Sequence, residues 1–166
     1  MITPAYIQKM SAYNRWVNGG IYDACDQLSD ADRKKDCGAF FKSIHGTLNH
    51  LLWGDQLWMS RFTATPKPLA DDIPGSVSQY ESYEHLKLER IAFDKVIDEW
   101  AAGLEPEALE GDLTWYSGSE GREITKPRAL LIMQMLNHQT HHRGQVHCLL
   151  TQFGVKAPTT DLPFMP

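Results

Sequence analysis

"NHQTHHRGQVHCLLTQFG", residues 137–154, carries four of the chain's seven histidines in its first eleven positions. Its periodicity is that of a helix, and the helix sorts the histidines. At about 100° per residue, with His138 at zero, His142 lies about 40° away and roughly 6 Å along the axis. Leu131, Met135, Val146, Leu149 and Phe153 fall at about 20° to 80° on the same scale, so His138 and His142 point into the face that must be buried. Gln145 flanks them, His141 falls at the rim, and His147 lies opposite, toward solvent. Pro127 suits the first turn of this helix and Gly154 its C-terminal stop.

Working outward, three more long helices are expected. Ile7, Met10, Val17, Ile21, Ala24 and Leu28 form one stripe of an N-terminal helix, with Thr3 as N-cap and Pro4 at the first helical position. Asn14 interrupts that stripe. A second helix covers "FFKSIHGTLNHLLWGDQLWMSRF" (40–62). A Pro/Asp/Gly-rich loop, "TATPKPLADDIPGS", follows. The third helix runs from about Val77 to Leu104, with Phe93, Val96, Trp100 and Leu104 on one side. "DLTWYSGSEGREIT" (112–125) places strand-forming residues around a Ser/Gly turn, the pattern of a short β-hairpin. Four long helices and little else predict an all-α antiparallel four-helix bundle in a single domain over residues 1–166.

Two inward histidines spaced i, i+4 leave ring nitrogens that need partners in a core. One divalent metal would satisfy both, and this spacing recurs in zinc helices. A single core histidine with one hydrogen-bonded nitrogen is the plainer alternative. A third metal-binding residue would come from His45, His50 or His85. His45 lies beside the polar arc of Asn49, Gln56 and Ser60 and reads as solvated. His85 sits among Glu84, Lys87 and Glu89 and reads as surface. His50 lies in a less polar sector, with Gly54 one turn on leaving room for a neighbour. The second helix is apolar around most of its circumference, so spacing alone does not choose.

Several chemistries drop out. A metalloprotease helix carries H-E-x-x-H, whose Glu acts as base, and here Gln139 stands in its place. No G-x-S-x-G, phosphate-cradling loop or cysteine pair of a zinc finger is present. The net charge of −5 disfavours holding a nucleic-acid backbone. The three cysteines, Cys25, Cys37 and Cys148, are unpatterned, which fits a reducing compartment. No signal-peptide core and no stretch of membrane-span length are found. The expected setting is cytoplasmic.

"YNRWVN" (13–18), the run 40–62 and residues 137–154 together resemble the DinB family of DinB/YfiT-like metalloenzymes. The resemblance spans nearly the whole chain, and its most specific part is H-x-x-x-H-R-G-Q, His138 to Gln145. It implies an up-down-down-up helix order and a divalent metal on three histidines, which by matching position are His50, His138 and His142. It also implies kinship with thiol-dependent enzymes, mycothiol-dependent maleylpyruvate isomerase and bacillithiol S-transferases among them, and a homodimer.

Three neutral imidazoles leave a metal at least one open position, as in catalytic zinc sites. The expected function is a metal-dependent hydrolase or thiol-dependent transferase acting on a small molecule. The alternative is a non-catalytic metal-binding stress or damage-response protein, and an open cleft above the metal would discriminate the two. Zinc or nickel suits the donor set first, and iron or copper also fits. No catalytic base is assigned. Gln145 is the best candidate for supporting the histidines or touching substrate. Asn14 is expected to face the site or bond a nearby backbone group. Asp55 is expected buried against an Arg, Arg143 in a salt bridge, and Gly144 at a close helix approach. Trp16, Trp53 and Trp58 read as packing residues. Metal affinity is expected to fall below about pH 6.5, the ordinary histidine pKa.

Overall fold

The computed structural model describes residues 2–118 and 120–166. Among them are six α-helices and one antiparallel hairpin: α1 (Pro4–Cys25), α2 (Asp30–Lys34), α3 (Ile44–Phe62), α4 (Ile73–Ser76), α5 (Tyr83–Ala102), β1 (Asp112–Ser117), β2 (Arg122–Pro127) and α6 (Arg128–Gln152). The hairpin pairs Trp115 with Ile124 and Ser117 with Arg122. Ser119, in its expected Ser/Gly turn, lies outside the described residues.

Local chemistry explains the boundaries. The Thr3 hydroxyl accepts from the Tyr6 amide, and Pro4 takes the first helical position, where its missing N–H costs nothing. α3 starts at Ile44, four residues later than the apolar run suggests. Lys42 adopts a left-handed φ of 66°, and the Ser43 hydroxyl then caps the Gly46 amide at 3.0 Å. α5 starts at Tyr83 rather than Val77, because Ser82 caps it and the Tyr80 peptide is held elsewhere. Its N–H donates to Asn49 Oδ1 at 2.9 Å. α6 ends with Gly154 at a φ of 71°, the left-handed C-terminal position glycine favours.

The four long helices contact one another in the pairs α3/α6, α1/α5, α1/α6 and α3/α5. Two apolar clusters fill the space between them. One gathers Val17, Ile21, Ile44, Leu48, Leu52, Leu86, Val146 and Leu150. The other gathers Ile7, Met59, Ile97, Ala101, Ile132 and Met135. Each fully buried aliphatic side chain contributes about 1.5–3 kcal/mol. Read along the chain, α1 and α6 run from the second cluster to the first, and α3 and α5 run the other way.

Between the clusters lies a polar layer to which all four long helices contribute. Arg90 is 1% exposed, with Nη1 2.6 Å from Asp55 Oδ2 and Nη2 2.8 Å from Asp94 Oδ1. Asn18 donates to Asp94 at 3.0 Å, and Asn14 donates to Gln139. The expected Asp55–Arg pairing is therefore present. Three other expectations fail here. Asn14 meets a side chain of α6, neither the histidines nor a local backbone group. Arg143 is buried without a carboxylate in reach; its Nη2 approaches Thr140 Oγ1 at 3.5 Å, and burial pushes its guanidinium down to about 10. Gly144 is exposed, with open space where a Cβ would stand.

The buried stripe of α5 also differs from the expected one. It is Tyr83, Leu86, Arg90, Asp94, Ile97 and Ala101. Phe93, Val96 and Trp100 are only half-buried beside it. The hairpin docks on the C-terminal end of α3, where Arg61 lies over the rings of Trp58, at 4.6 Å, and Trp115, at 5.5 Å. No helix among the described residues is long and apolar enough to cross a membrane.

Candidate metal centre

α3 and α6 bring three imidazoles to their shared seam. His50, His138 and His142 each offer a ring nitrogen, and these atoms lie within 4.8 Å of one another. His50 Nε2 is 3.2 Å from His138 Nε2. Two nitrogens bound tetrahedrally to one ion at 2.0–2.1 Å would stand about 3.3 Å apart, so this pair is already at the spacing a shared ion needs. The donor set suits a divalent metal, and the three residues could hold one.

The histidines lie at the edge of the α6 buried face, not at its centre. That face extends past Gln139 to Arg143 and Leu150, beyond the arc its apolar residues mark. His142 is 7% exposed and His138 is half-buried. His147 is also half-buried, less open than expected, and His141 is exposed. Gly54 makes room for His138. A Cβ on Gly54 would stand 2.7 Å from His138 Cε1, closer than real contacts allow. The ring can swing away, but only by leaving the cluster. Gly54→Ala should therefore keep the fold and weaken zinc binding at least about tenfold, the lower end of what misplacing a metal-binding ring costs. Chelator competition and circular dichroism on the same sample would check this; unchanged affinity would mean that His138 does not bind from its present position.

Ring neighbours hold the imidazoles. Phe41 stacks on His50 with centroids 3.9 Å apart, and Trp53 lies on the His50 ring at 5.5 Å. Trp53 Nε1 donates to the Ala70 carbonyl at 2.7 Å, fastening the loop after α3 over the site. His50 Nδ1 is 2.8 Å from Ser76 Oγ, and His142 Nδ1 is 2.7 Å from Gln145 Oε1. Gln145 thus supports a histidine, one of the two roles open to it. No sequence pattern marks Ser76, which closes the Pro/Asp/Gly-rich segment after α3; only the fold, which makes it the last residue of α4, puts it against His50.

The other candidates stay apart. His85 is exposed and 3.4 Å from Glu89. His45 is buried, not solvated: its Nε2 is 2.9 Å from the Tyr80 carbonyl. The cause is that α3 is contacted by α2, α4, α5 and α6, which leaves no solvent face from Ile44 to Gln56. Its polar arc is used up on the backbone of the Tyr80 segment. A cavity of about 520 Å³ lies between α1 and α5, lined by Asn18, Tyr22, Arg90 and Asp94. It does not touch the histidines, and the three-imidazole cluster, not the cavity, marks the candidate site.

Burial pushes His50 down to about 3, with His138 and then His142 adding to the drop. Burial likewise lowers His138 to about 4 and lowers His142 against its bond to Gln145. Two results follow. Because the folded values lie below the ordinary 6.5, metal-free stability is full above that value and is lost as pH falls through it toward the folded values. At about 1.4 kcal/mol per unit for each fully titrating group, His50 and His138 together cost on the order of 2 kcal/mol between pH 6 and 5. Urea denaturation at the two pH values measures it. Metal affinity of the folded chain, by contrast, should begin to fall only at a pH lower than an ordinary histidine implies, because burial lowers all three rings. The expected fall with acid is accordingly displaced below the ordinary 6.5. Competition titrations at pH 7 and 5.5 separate the two cases.

The DinB family profile matches residues 1–166. Protein DinB of Bacillus subtilis (strain 168) is 27% identical over 156 residues, covering 92% of this chain and 89% of that protein. The chain belongs to the DinB family.

Proposed function

We propose that this DinB-family chain is one antiparallel four-helix-bundle domain that binds a single divalent metal ion through His50, His138 and His142. The facing nitrogens at the α3/α6 seam are the observation that carries this reading. Zinc or nickel fits the all-imidazole set first, and iron also fits. Such an ion supplies Lewis acidity and a positive charge that favours a small anion such as a thiolate. The chain's own residues place the rings, and Phe41 and Trp53 keep water from the His50 side. The half-buried His138 and Gln145 and the exposed His141 leave access from the α6 side.

On that basis the activity is metal-dependent hydrolysis or thiol-dependent transfer on a small molecule. A cytoplasmic setting fits the free cysteines Cys25, Cys37 and Cys148. A homodimer and a small-molecule partner, with no nucleic acid or membrane, complete the proposal. A second reading, metal binding without turnover, is favoured by the burial of His50 and His142, 4% and 7% exposed.

Visible spectra of the cobalt-substituted protein discriminate. Small thiols should perturb the cobalt bands, while DNA binding at physiological salt stays negligible. Bands indifferent to thiols would favour the non-catalytic reading, and sub-micromolar DNA binding would overturn the partner assignment.

A further inference from the structure

We propose that Ser76 and Gln145 are positioning residues that fix the tautomers of His50 and His142, so that each ring carries its hydrogen on Nδ1 and turns a bare Nε2 to the shared centre. The inference starts from hydrogen counting. Ser76 Oγ lies 2.6 Å from the Ile73 carbonyl, to which it donates. Its single hydrogen is therefore used, and toward His50 Nδ1 at 2.8 Å it can only accept. His50 must then be protonated at Nδ1. The hydroxyl is rigidly placed: Ser76 is fully buried, and the turn that carries it is capped by Asp72 Oδ1, which accepts from the Gly75 amide at 2.7 Å.

Gln145 reaches the same result from α6. Its Oε1 faces His142 Nδ1 at 2.7 Å, and an amide oxygen only accepts. Its Nε2 faces His141 Nε2 at 3.2 Å and can donate there. The two contacts agree on which end of the amide is which. His142 is thus also protonated at Nδ1.

Both rings are held in the tautomer that a free histidine side chain in water disfavours, and both in the sense a metal needs. Ring partners of this kind commonly set the orientation of metal-binding histidines. Ser76 and Gln145 come from opposite sides of the seam, so the agreement is not one local motif repeated. His138 Nδ1 has no hydrogen-bond partner; its Nε2 faces the bare His50 Nε2 at 3.2 Å and carries the hydrogen between them in the metal-free protein.

The purpose assigned to the two residues rests on the metal reading, but the tautomers are measurable without metal. Two-bond nitrogen–proton correlation spectra of the metal-free protein at pH 7 would be recorded for the wild type, Ser76→Ala, Gln145→Leu and Gln145→Glu. The wild type should show His50 and His142 protonated at Nδ1. Ser76→Ala should move only His50 toward the Nε2–H form, and Gln145→Leu only His142. Gln145→Glu, which keeps the acceptor, should restore His142. Zinc affinity, read by chelator competition, should drop about 10- to 100-fold in Ser76→Ala and Gln145→Leu and return in Gln145→Glu. Gln145 is only half-buried, so its variants keep the test alive should Ser76→Ala fold poorly. Nε2–H forms in the wild type, or tautomers that ignore both substitutions, would overturn the proposal. Expected tautomers without zinc uptake would instead overturn the metal reading and leave the positioning role standing.

Discussion

Arg90→Leu is expected to destabilise the protein by about 3–5 kcal/mol at neutral pH, the usual cost of removing one partner from a buried ion pair. That is a large share of the roughly 5–15 kcal/mol that holds a domain together. The guanidinium is the only cation within salt-bridge distance of either Asp55 or Asp94 among the described residues. Burial already raises both carboxyls, opposed chiefly by Arg90. Without it, two carboxylates would be left in a layer closed above and below by apolar clusters. They should respond by taking up protons. A folded carboxyl value raised above the unfolded one gives stability that is present at low pH and lost as pH rises. Arg90→Leu should accordingly recover part of its loss between pH 7 and 4.5, and Asp55→Asn added to it should recover more. Urea denaturation of the single and double variants measures both effects. A loss below about 1 kcal/mol would mean that the layer is wetter than its burial indicates.

His138→Ala is expected to lower zinc affinity by roughly a hundred- to a thousandfold. Structural zinc sites bind with about 10–16 kcal/mol through four protein donors, or about 2.5–4 kcal/mol for each. The fold should persist, because His138 loses only its Nε2 contact to His50, its Nδ1 having no partner, and the ring lies at the edge of the α6 buried face. His50→Ala should lose zinc as well but also cost stability, since it removes the ring stacked under Phe41 and the donor that the buried Ser76 oxygen accepts from. His147→Ala and His85→Ala should bind zinc as the wild type does. Metal content after dialysis, beside thermal melts of the metal-free proteins, would show it. Full occupancy in His138→Ala would remove that residue from the site.

The inward pair His138 and His142 was legible because an i, i+4 spacing on an apolar face has one geometric meaning. Thr3, Pro4 and Gly154 were legible because caps are local. The polar residues of the interior were not. Arg90, Asp94, Gln139 and Arg143 occupy helix faces that hydropathy assigns to solvent, so the α5 stripe was read one row aside and the α6 face too narrow. His45 was misread for a related reason. Its arc on α3 is polar and yet buried, its hydrogen bonds spent on the Tyr80 backbone. A wheel shows which residues share a face but not what covers it. The less polar sector and Gly54 favoured His50 as the partner of the α6 pair, but the choice needed the family resemblance, since α3 is buried all round where His50 sits. Ser76 depends on the loop returning across α3, which no local pattern encodes.

The most direct measurement is X-ray absorption at the zinc edge of the loaded wild-type protein. The account predicts one zinc per chain and a nearest shell containing three imidazole nitrogens at about 2.0–2.1 Å, with no sulfur. It also predicts that the imidazole count falls in His138→Ala. A shell containing sulfur at about 2.3 Å, or an imidazole count that His138→Ala leaves unchanged, would contradict it.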